Sequence, residues 1–461
     1  MDSILSYVEA NKERYLGELR QWLAIPSVST NAENTGDIQK AAEWLADHLR
    51  SIGMENVQIM PTGGFPLVYA DWLHADNSPT VLLYGHYDVQ PVEPLDLWTS
   101  PPFDATVRNN RLYSRGAADD KGQVFIHAKA MEAFLANNRA LPVNLKMIVE
   151  GEEEIGSDHL DQFVTDHKDL LKADLVLISD SAMFGENLPS ICYGLRGLAY
   201  MQIDLVGPNK DLHSGSFGGT VHNPIQALTE IIAQLHDKNG RVTIPGFYDQ
   251  VRPLSKKERD AYKKLPHSDK KYARELGVRQ LYGEKGFTTL ERVWARPTLE
   301  CNGIWGGFTG DGAKTVLPSK ASAKISMRLV PDQKSDKIAK LFERHIKKIA
   351  PPTVSVTVRS LHGGEPAITP IDSPGVMAAV SALQKGFGKK ALYQREGGSI
   401  PIVVQFKKIL GIDTVLLGFG QPDENAHAPD EFMSLSHFYG GIKTSLHFYN
   451  ELPSFMHNHR R

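Results

Sequence analysis

Cysteine is scarce in this chain. Cys192 and Cys301 are the only two among 461 residues. Two thiols cannot build a disulfide framework, and they exclude a zinc site made of cysteines. Long hydrophobic runs are also missing. No stretch of about 18 consecutive apolar residues occurs, so no membrane-spanning helix is expected. Charge of one sign is lacking too. The formal net charge is -3, with acids and bases interspersed. That is not the clustered Lys/Arg footprint of a nucleic-acid binder or of a protein held to an anionic membrane. The N-terminal stretch MDSILSYVEANKERYLGELRQWL has neither the basic start nor the short apolar core of a signal peptide. Its Leu5, Val8, Leu16, Leu19 and Leu23 recur at helical spacing instead. The expectation is a cytoplasmic protein with no nucleic-acid and no membrane partner.

What is present is ordinary globular composition, 41% hydrophobic and 23% charged. The length suits about two or three domains. Up to about residue 190, short β-branched runs alternate with amphipathic helical stretches. Thr80 to Gly85, Val143 to Glu150 and Ala173 to Asp180 read as strands. Ile38 to Ile52 and Gln123 to Leu135 read as helices. This predicts an α/β domain with a central, mostly parallel sheet flanked by helices. Near Arg196 the pattern changes to strict alternation, as in AYMQIDLVGP, KASAKISMRLVP and TVSVTVRS. An amphipathic helix, SDKIAKLFERHIKKIA, lies between the last two of these, and HNPIQALTEIIAQLH supplies another. The first pattern returns with a helix over Gly375 to Phe387 and the run IDTVLLGFG. The chain therefore reads as an α/β domain over 1–194 and 366–461, interrupted by an inserted α+β, ferredoxin-like domain over 195–365. The charged run Leu254 to Leu265 reads as a solvated helix.

Several strand-like runs end in residues that ligate metals. VLLYG ends at His86, LKMIV runs into Glu150–Glu154, DLVLIS ends at Asp180, and TVLLGFG leads shortly to His427. Open parallel sheets bind ligands at the carboxyl ends of their strands. Asp119 and Asp120 precede a predicted helix; alone they would be ordinary capping residues. His86 and Asp88 sit two apart on extended chain and face one side. Such a pair can supply a metal ligand and the carboxylate that orients it. Four of the five residues from Glu150 to Glu154 are acids, which repel one another unless something positive sits among them. Histidines and carboxylates without thiolate suit Zn²⁺, Mn²⁺ or Co²⁺. The acids are too many for one metal, and a two-metal site would absorb them. Of Glu153 and Glu154, one can bind metal while the other faces a water as general base.

LLYGHYDVQPV, RGAADDKG, EGEEEIGS, LISD, DLHSG and NAHAPDE occur in that order. In these motifs the chain resembles the M20 metallopeptidases, in particular the dipeptidase branch of carnosinases and cysteinylglycine dipeptidases. The resemblance implies a pair of divalent metal ions per chain, Zn²⁺ first, with Mn²⁺ or Co²⁺ as alternatives. It implies His86 and Asp180 on one metal, Glu154 and His427 on the other, and Asp119 bridging them through a cis peptide bond to Asp120. Asp88 would orient His86. Glu153 would take a proton from the metal-bridging water and return it to the leaving amine. The inserted domain would serve as lid and dimerisation domain of a homodimer, carrying His213 to the partner's active site to polarise the scissile carbonyl. Arg328 would bind the substrate carboxylate, and Thr315, His362 and Ser399 would add substrate contacts. Glu150 and Glu152 are not expected to ligate, and Glu152 departs from the apolar or small residue expected there. The implied activity is hydrolysis of dipeptides or short peptides with a free C-terminal carboxylate. The competing readings are an amidase or deacylase of N-acyl or N-carbamoyl amino acids, and an inactive metal-binding scaffold. No G-x-S-x-G elbow surrounds Ser399, and GGFTGDGAKT lacks the Gly-Lys-Ser/Thr ending of a phosphate loop.

Overall fold

The computed structural model describes residues 1–398 and 400–459. The chain divides into two compact units. The first is formed by Met1–Tyr193, Thr369–Gln394 and 405–459. The second is formed by Gly194–Ile368 with the described residues of Arg395–Val404.

The first unit is built on a mixed sheet. Its strands run in the order Glu55–Met60, Leu67–Trp72, Asn144–Glu150, Thr80–His86, Leu175–Ile178, Thr414–Leu416, and then the start of Ser190–Leu195. The middle pairings are parallel, whereas both flanks are antiparallel. The sheet is thus less parallel than the alternation of elements suggested. Met60 and Leu67 are joined by a short connection, which permits antiparallel pairing, while a parallel pair needs a longer crossover. One such crossover is the helix Lys121–Asn138, buried on nearly every side through residues such as Val124, Phe125, Ile126, Ala130, Met131 and Phe134. A helix apolar all round belongs in an interior. Gly122 is required at its first turn, because a Cβ there would lie 1.8 Å from the Ala117 carbonyl oxygen. The helices Asp2–Ala10, Lys12–Leu23, Thr35–Ser51, Pro374–Phe387 and Leu435–His459 add to the core.

The second unit contains a four-stranded antiparallel sheet in the order Thr298–Gly306, Lys320–Leu329, Gly197–Val206, Ser355–Gly364. Its alternating residues Ala199, Met201, Ile203, Leu205, Ala323 and Ile325 face Leu228, Ile231, Ile338, Phe342 and Ile346. The last five lie on the helices Pro224–Ala233 and Ser335–Ile349, so period two in the strands meets period 3.6 in the helices. The strand Thr298–Gly306 escaped the sequence reading. It is mostly exposed and its register shifts between Cys301 and Gly303, which blurs the alternation. The charged run forms the helix Lys256–Lys263, opened by a Ser255/Glu258 capping box. It is not wholly solvated: Tyr262 is buried, with its ring 5.2 Å from that of Trp294.

Candidate metal centre and active site

The parallel strands Thr80–His86, Asn144–Glu150, Leu175–Ile178 and Thr414–Leu416 end on the same edge of the sheet. His86 is the last residue of its strand and is wholly buried. Its Nδ1 lies 3.0 Å from the Asp88 carbonyl oxygen, so Nδ1–H donates there, and in the neutral ring the lone pair is left on Nε2. That Nε2 faces Asp119 Oδ1 at 3.0 Å. On the other side, His427 Nε2 faces Asp119 Oδ2 at 2.9 Å and Glu154 Oε2 at 3.4 Å. The Asp119–Asp120 peptide bond is cis.

Two groups of donor atoms result, His86 with Asp119 and Asp180, and Asp119 with Glu154 and His427. In each group the donor atoms all lie within 4.8 Å of one another. Asp119 belongs to both. Metal–ligand bonds of about 2.0–2.2 Å leave ligand atoms at spacings of this order. Glu154 Oε2 accepts from Gln90 Nε2 at 2.6 Å, while the buried Oε1 has no hydrogen-bond partner among the described residues. A buried orphan oxygen beside a lone-pair nitrogen and a doubly flanked carboxylate is the donor set a divalent cation completes. The residues present fit such ions.

Electrostatics point the same way. Burial, reinforced by the Asp119 charge, pushes the Asp180 carboxyl well above its usual range and that of Glu154 to about 8. Burial opposes ionisation of Asp119 also, but hydrogen bonds from His427 and, when its ring is protonated, from His86 outweigh it and hold its pKa low. The hydrogen bond to Asp119 lifts His427 to about 9. Fully ionised, the cluster would hold more negative charge than its own cations neutralise.

Asp88 stands beside His86 and also holds the main chain. Its carboxylate accepts from the backbone N–H of Glu153 at 3.2 Å, of Glu154 at 3.1 Å, and from Ser29 Oγ at 2.7 Å. His86 Nδ1 is 3.4 Å from Asp88 Oδ1 but 3.0 Å from the Asp88 carbonyl. The Asp88 carbonyl is thus the nearer partner of Nδ1–H, and the carboxylate beside it is also held by the amides that open the one-turn helix Glu153–Ile155. Glu153 is half-buried on that turn. Burial raises its pKa, with the charges of Asp119 and Asp88 adding to the effect and His86 opposing it.

The crowding of acids resolves by direction. Glu150 accepts from Tyr84 Oη at 2.6 Å and from Ser157 Oγ at 2.9 Å. Glu152 accepts from the Phe65 N–H at 3.1 Å and pairs with His159 Nδ1 at 2.9 Å, which accounts for the unexpected acid there. Only Glu153 and Glu154 remain for the centre. A further group, Glu18, His48 and Glu132, has metal-like spacing. It already holds a cation: Lys129 Nζ lies 2.7 Å from Glu132 Oε2 and 2.8 Å from His48 Nε2, and also bonds Glu18.

His213, Thr315, Arg328 and His362 lie in the second unit. His213 is exposed, and its Nδ1 accepts from the N–H groups of Gly215 at 3.0 Å and Ser216 at 3.2 Å. Its neutral ring therefore carries the proton on Nε2. Thr315 is exposed and its carbonyl accepts from Ser214 N–H at 3.0 Å. Arg328 is half-buried on its strand, opposite Thr298 and Leu198, and burial lowers its pKa. Arg196, which sequence reading missed, is close enough that burial and the Arg328 charge pull it to about 10. His362 is exposed, 5.0 Å ring to ring from Tyr200. Ser399 lies outside the described residues. Also missed were Ser29, Gln90, Arg115 and Glu431; the last three stand inside or beside the quoted motifs, which was the available signal.

A parallel-centred sheet with two donor groups sharing one carboxylate is the framework of a metal-dependent hydrolase. The chain matches the model of peptidase family M20/M25/M40 over residues 82–451. It belongs to that family and is a metal-dependent peptidase. It is 35% identical to the Cys-Gly metallodipeptidase DUG1 of Candida albicans, over 98% of each chain. The solved structure of human carnosine dipeptidase 1 matches with a TM-score of 0.83 at 31% identity, covering 98% of each chain. An M20 family metallo-carboxypeptidase from Sulfolobus solfataricus matches with a TM-score of 0.83 at 34% identity, covering 95% of this chain and 99% of that one. Among the described residues no helix is long and apolar enough to cross a membrane.

Proposed function

We propose that this chain hydrolyses the peptide bond of dipeptides or short peptides bearing a free C-terminal carboxylate, with a pair of divalent metal ions held by its own residues. The observation that carries the reading is Asp119, whose two oxygens face the ring nitrogens of His86 and His427 and which both donor groups share. His86 and Asp180 would hold one ion and Glu154 and His427 the other, with Asp119 available to both. Zn²⁺ is the favoured ion, with Mn²⁺ or Co²⁺ as alternatives. When bound, such ions polarise the substrate carbonyl and acidify the attacking water. Glu153 takes the water's proton at a carboxylate oxygen and delivers it to the leaving amine. A buried carboxyl with a raised pKa suits holding a proton between those steps. Asp88, through the amides of Glu153 and Glu154, keeps base and ligand on one turn. His213 donates from Nε2 to the oxygen on which negative charge develops, from the partner subunit of a homodimer. Its tautomer, set by two backbone N–H groups on Nδ1, supports that role. Arg328 binds the substrate's C-terminal carboxylate in bidentate fashion, with Thr315, His362 and Ser399 as further contacts. The enzyme acts in the cytoplasm.

The test is to count metal per purified chain and assay a dipeptide panel beside N-acyl and N-carbamoyl amino acids, with Zn²⁺, Mn²⁺ or Co²⁺ added. About two metals per chain with dipeptide cleavage is expected. Turnover of only the acylated compounds would move the chain to the amidase reading. Neither metal nor turnover would leave a scaffold.

A further inference from the structure

Glu431 is wholly buried, and both of its carboxylate oxygens are fully used. One oxygen accepts from the N–H of Ala118 at 2.9 Å and of Asp119 at 3.1 Å. The other accepts from Gly116 N–H at 3.0 Å and from Arg115 Nη1 at 2.6 Å. Its own carbonyl accepts from Ser114 N–H at 3.1 Å. Arg115 is 1% exposed and donates its Nη2 to the Pro91 carbonyl at 2.9 Å. Residues 114–119 belong to no strand or helix, so their amides have no ladder partner. Glu431 supplies one. It stands four residues after His427, on the same loop, and its grip ends on the amide of Asp119.

As a simple ion pair this arrangement would stabilise little, since two buried charges lose their hydration and apolar residues can replace them without loss. The geometry is more specific than a pair: three of the four donors are consecutive or near-consecutive main-chain amides leading into the shared carboxylate. We propose that Glu431 is a positioning residue that sets Asp119 and His427 at bridging distance before any metal arrives. The proposal rests on the reading of Asp119 and His427 as metal ligands.

Glu431→Gln keeps the size but must turn an –NH₂ toward one donor pair, either the amides of Ala118 and Asp119 or Gly116 and Arg115. Chelator-stripped wild type and E431Q would be titrated with Zn²⁺ and, separately, Mn²⁺ by calorimetry. A metal dissociation constant raised about 10- to 100-fold is expected, as for other residues that orient ligands. The comparison variant is Arg14→Met, which removes the ion pairs of Arg14 with Glu18 and Glu132. It should lower the melting temperature without shifting metal affinity. Unchanged affinity in E431Q, or equal losses in R14M at matched stability, would overturn the positioning role. Should E431Q not fold, hydrogen exchange on metal-free wild type decides. Protected amides at Gly116, Ala118 and Asp119 support a preset loop, and free exchange there overturns it. Wild type that takes up no metal would instead overturn the ligand reading, and this proposal with it.

Discussion

Asp88→Asn separates two ways a buried carboxylate can serve this centre. Asp88 Oδ2 meets two donors, Glu154 N–H at 3.1 Å and Ser29 Oγ at 2.7 Å, and Oδ1 meets Glu153 N–H at 3.2 Å. Asparagine would keep its oxygen on the side with two donors. Its –NH₂ then opposes the Glu153 amide, leaving that buried donor unsatisfied at a cost of about 1–3 kcal/mol. The two remaining bonds lose their charge assistance, each roughly halved in strength. The sum is about 2.5–6 kcal/mol. Removing a negative charge also relieves repulsion with Glu153 and Glu150. Stability is therefore compared with metal bound, by urea unfolding, beside metal content and turnover. The expected outcome is metal retained, stability reduced by that amount, and kcat per loaded chain down about 10-fold or more, since the damage falls on the turn carrying Glu153. Loss of metal with normal kcat in the chains still loaded would refute this reasoning. It would mean that Asp88 acts through His86, from which its nearest carboxylate oxygen is 3.4 Å.

Glu153→Gln should cut kcat by about 10²- to 10⁴-fold while metal content stays at the wild-type value, and full turnover would remove Glu153 as the base. The same variant should be no less stable than wild type without metal, because it deletes a buried carboxyl repelled by Asp119 and Asp88. His127, wholly buried between Ser179 and Tyr449, is held by burial at about 3. The unfolded chain takes up a proton near pH 6.5 that the folded one refuses, so stability falls by about 1.4 kcal/mol per pH unit below that value, down to about pH 3. His127→Gln should flatten this slope in unfolding measured from pH 7 to pH 4, and an unchanged slope would refute it. Lys129→Met strips a buried ammonium from Glu18, Glu132 and His48, and should lower stability in chemical unfolding by less than the cost of a fully orphaned buried charge, about 3–5 kcal/mol, because Arg14 still pairs both acids.

The fold was largely legible where periodicity was strong. Alternation in Gly197–Val206 and Lys320–Leu329 marked the sheet of the second unit, and the apolar stripe of Ser335–Ile349 marked its helix. It failed for Thr298–Gly306, whose exposure and register shift leave no alternating face to read. It also overstated parallel pairing, because strand direction at the sheet flanks depends on connection length and not on side-chain pattern. At the centre, strand ends drew attention to His86, Asp180 and Glu154. Nothing in the pattern placed Glu431 against Asp119, a contact between residues 312 apart in sequence.

By itself the sequence determined the chemical inventory and its approximate address: nitrogen and carboxylate donors without thiolate, delivered at the ends of strands that the alternation locates. Donor type is carried by side chains, and side chains are what a sequence spells out. Only the tertiary structure decided which way each acid turns. Glu150 turns to Tyr84 and Glu152 to His159, Glu154 faces His427, and Glu153 lies where it feels the charges of His86 and Asp119, although all four are the same chemical group. The carboxylates of Asp88 and Glu431 settle the matter by gripping backbone amides. Every residue but proline carries such an amide, so no letter of the sequence records which one a carboxylate will hold.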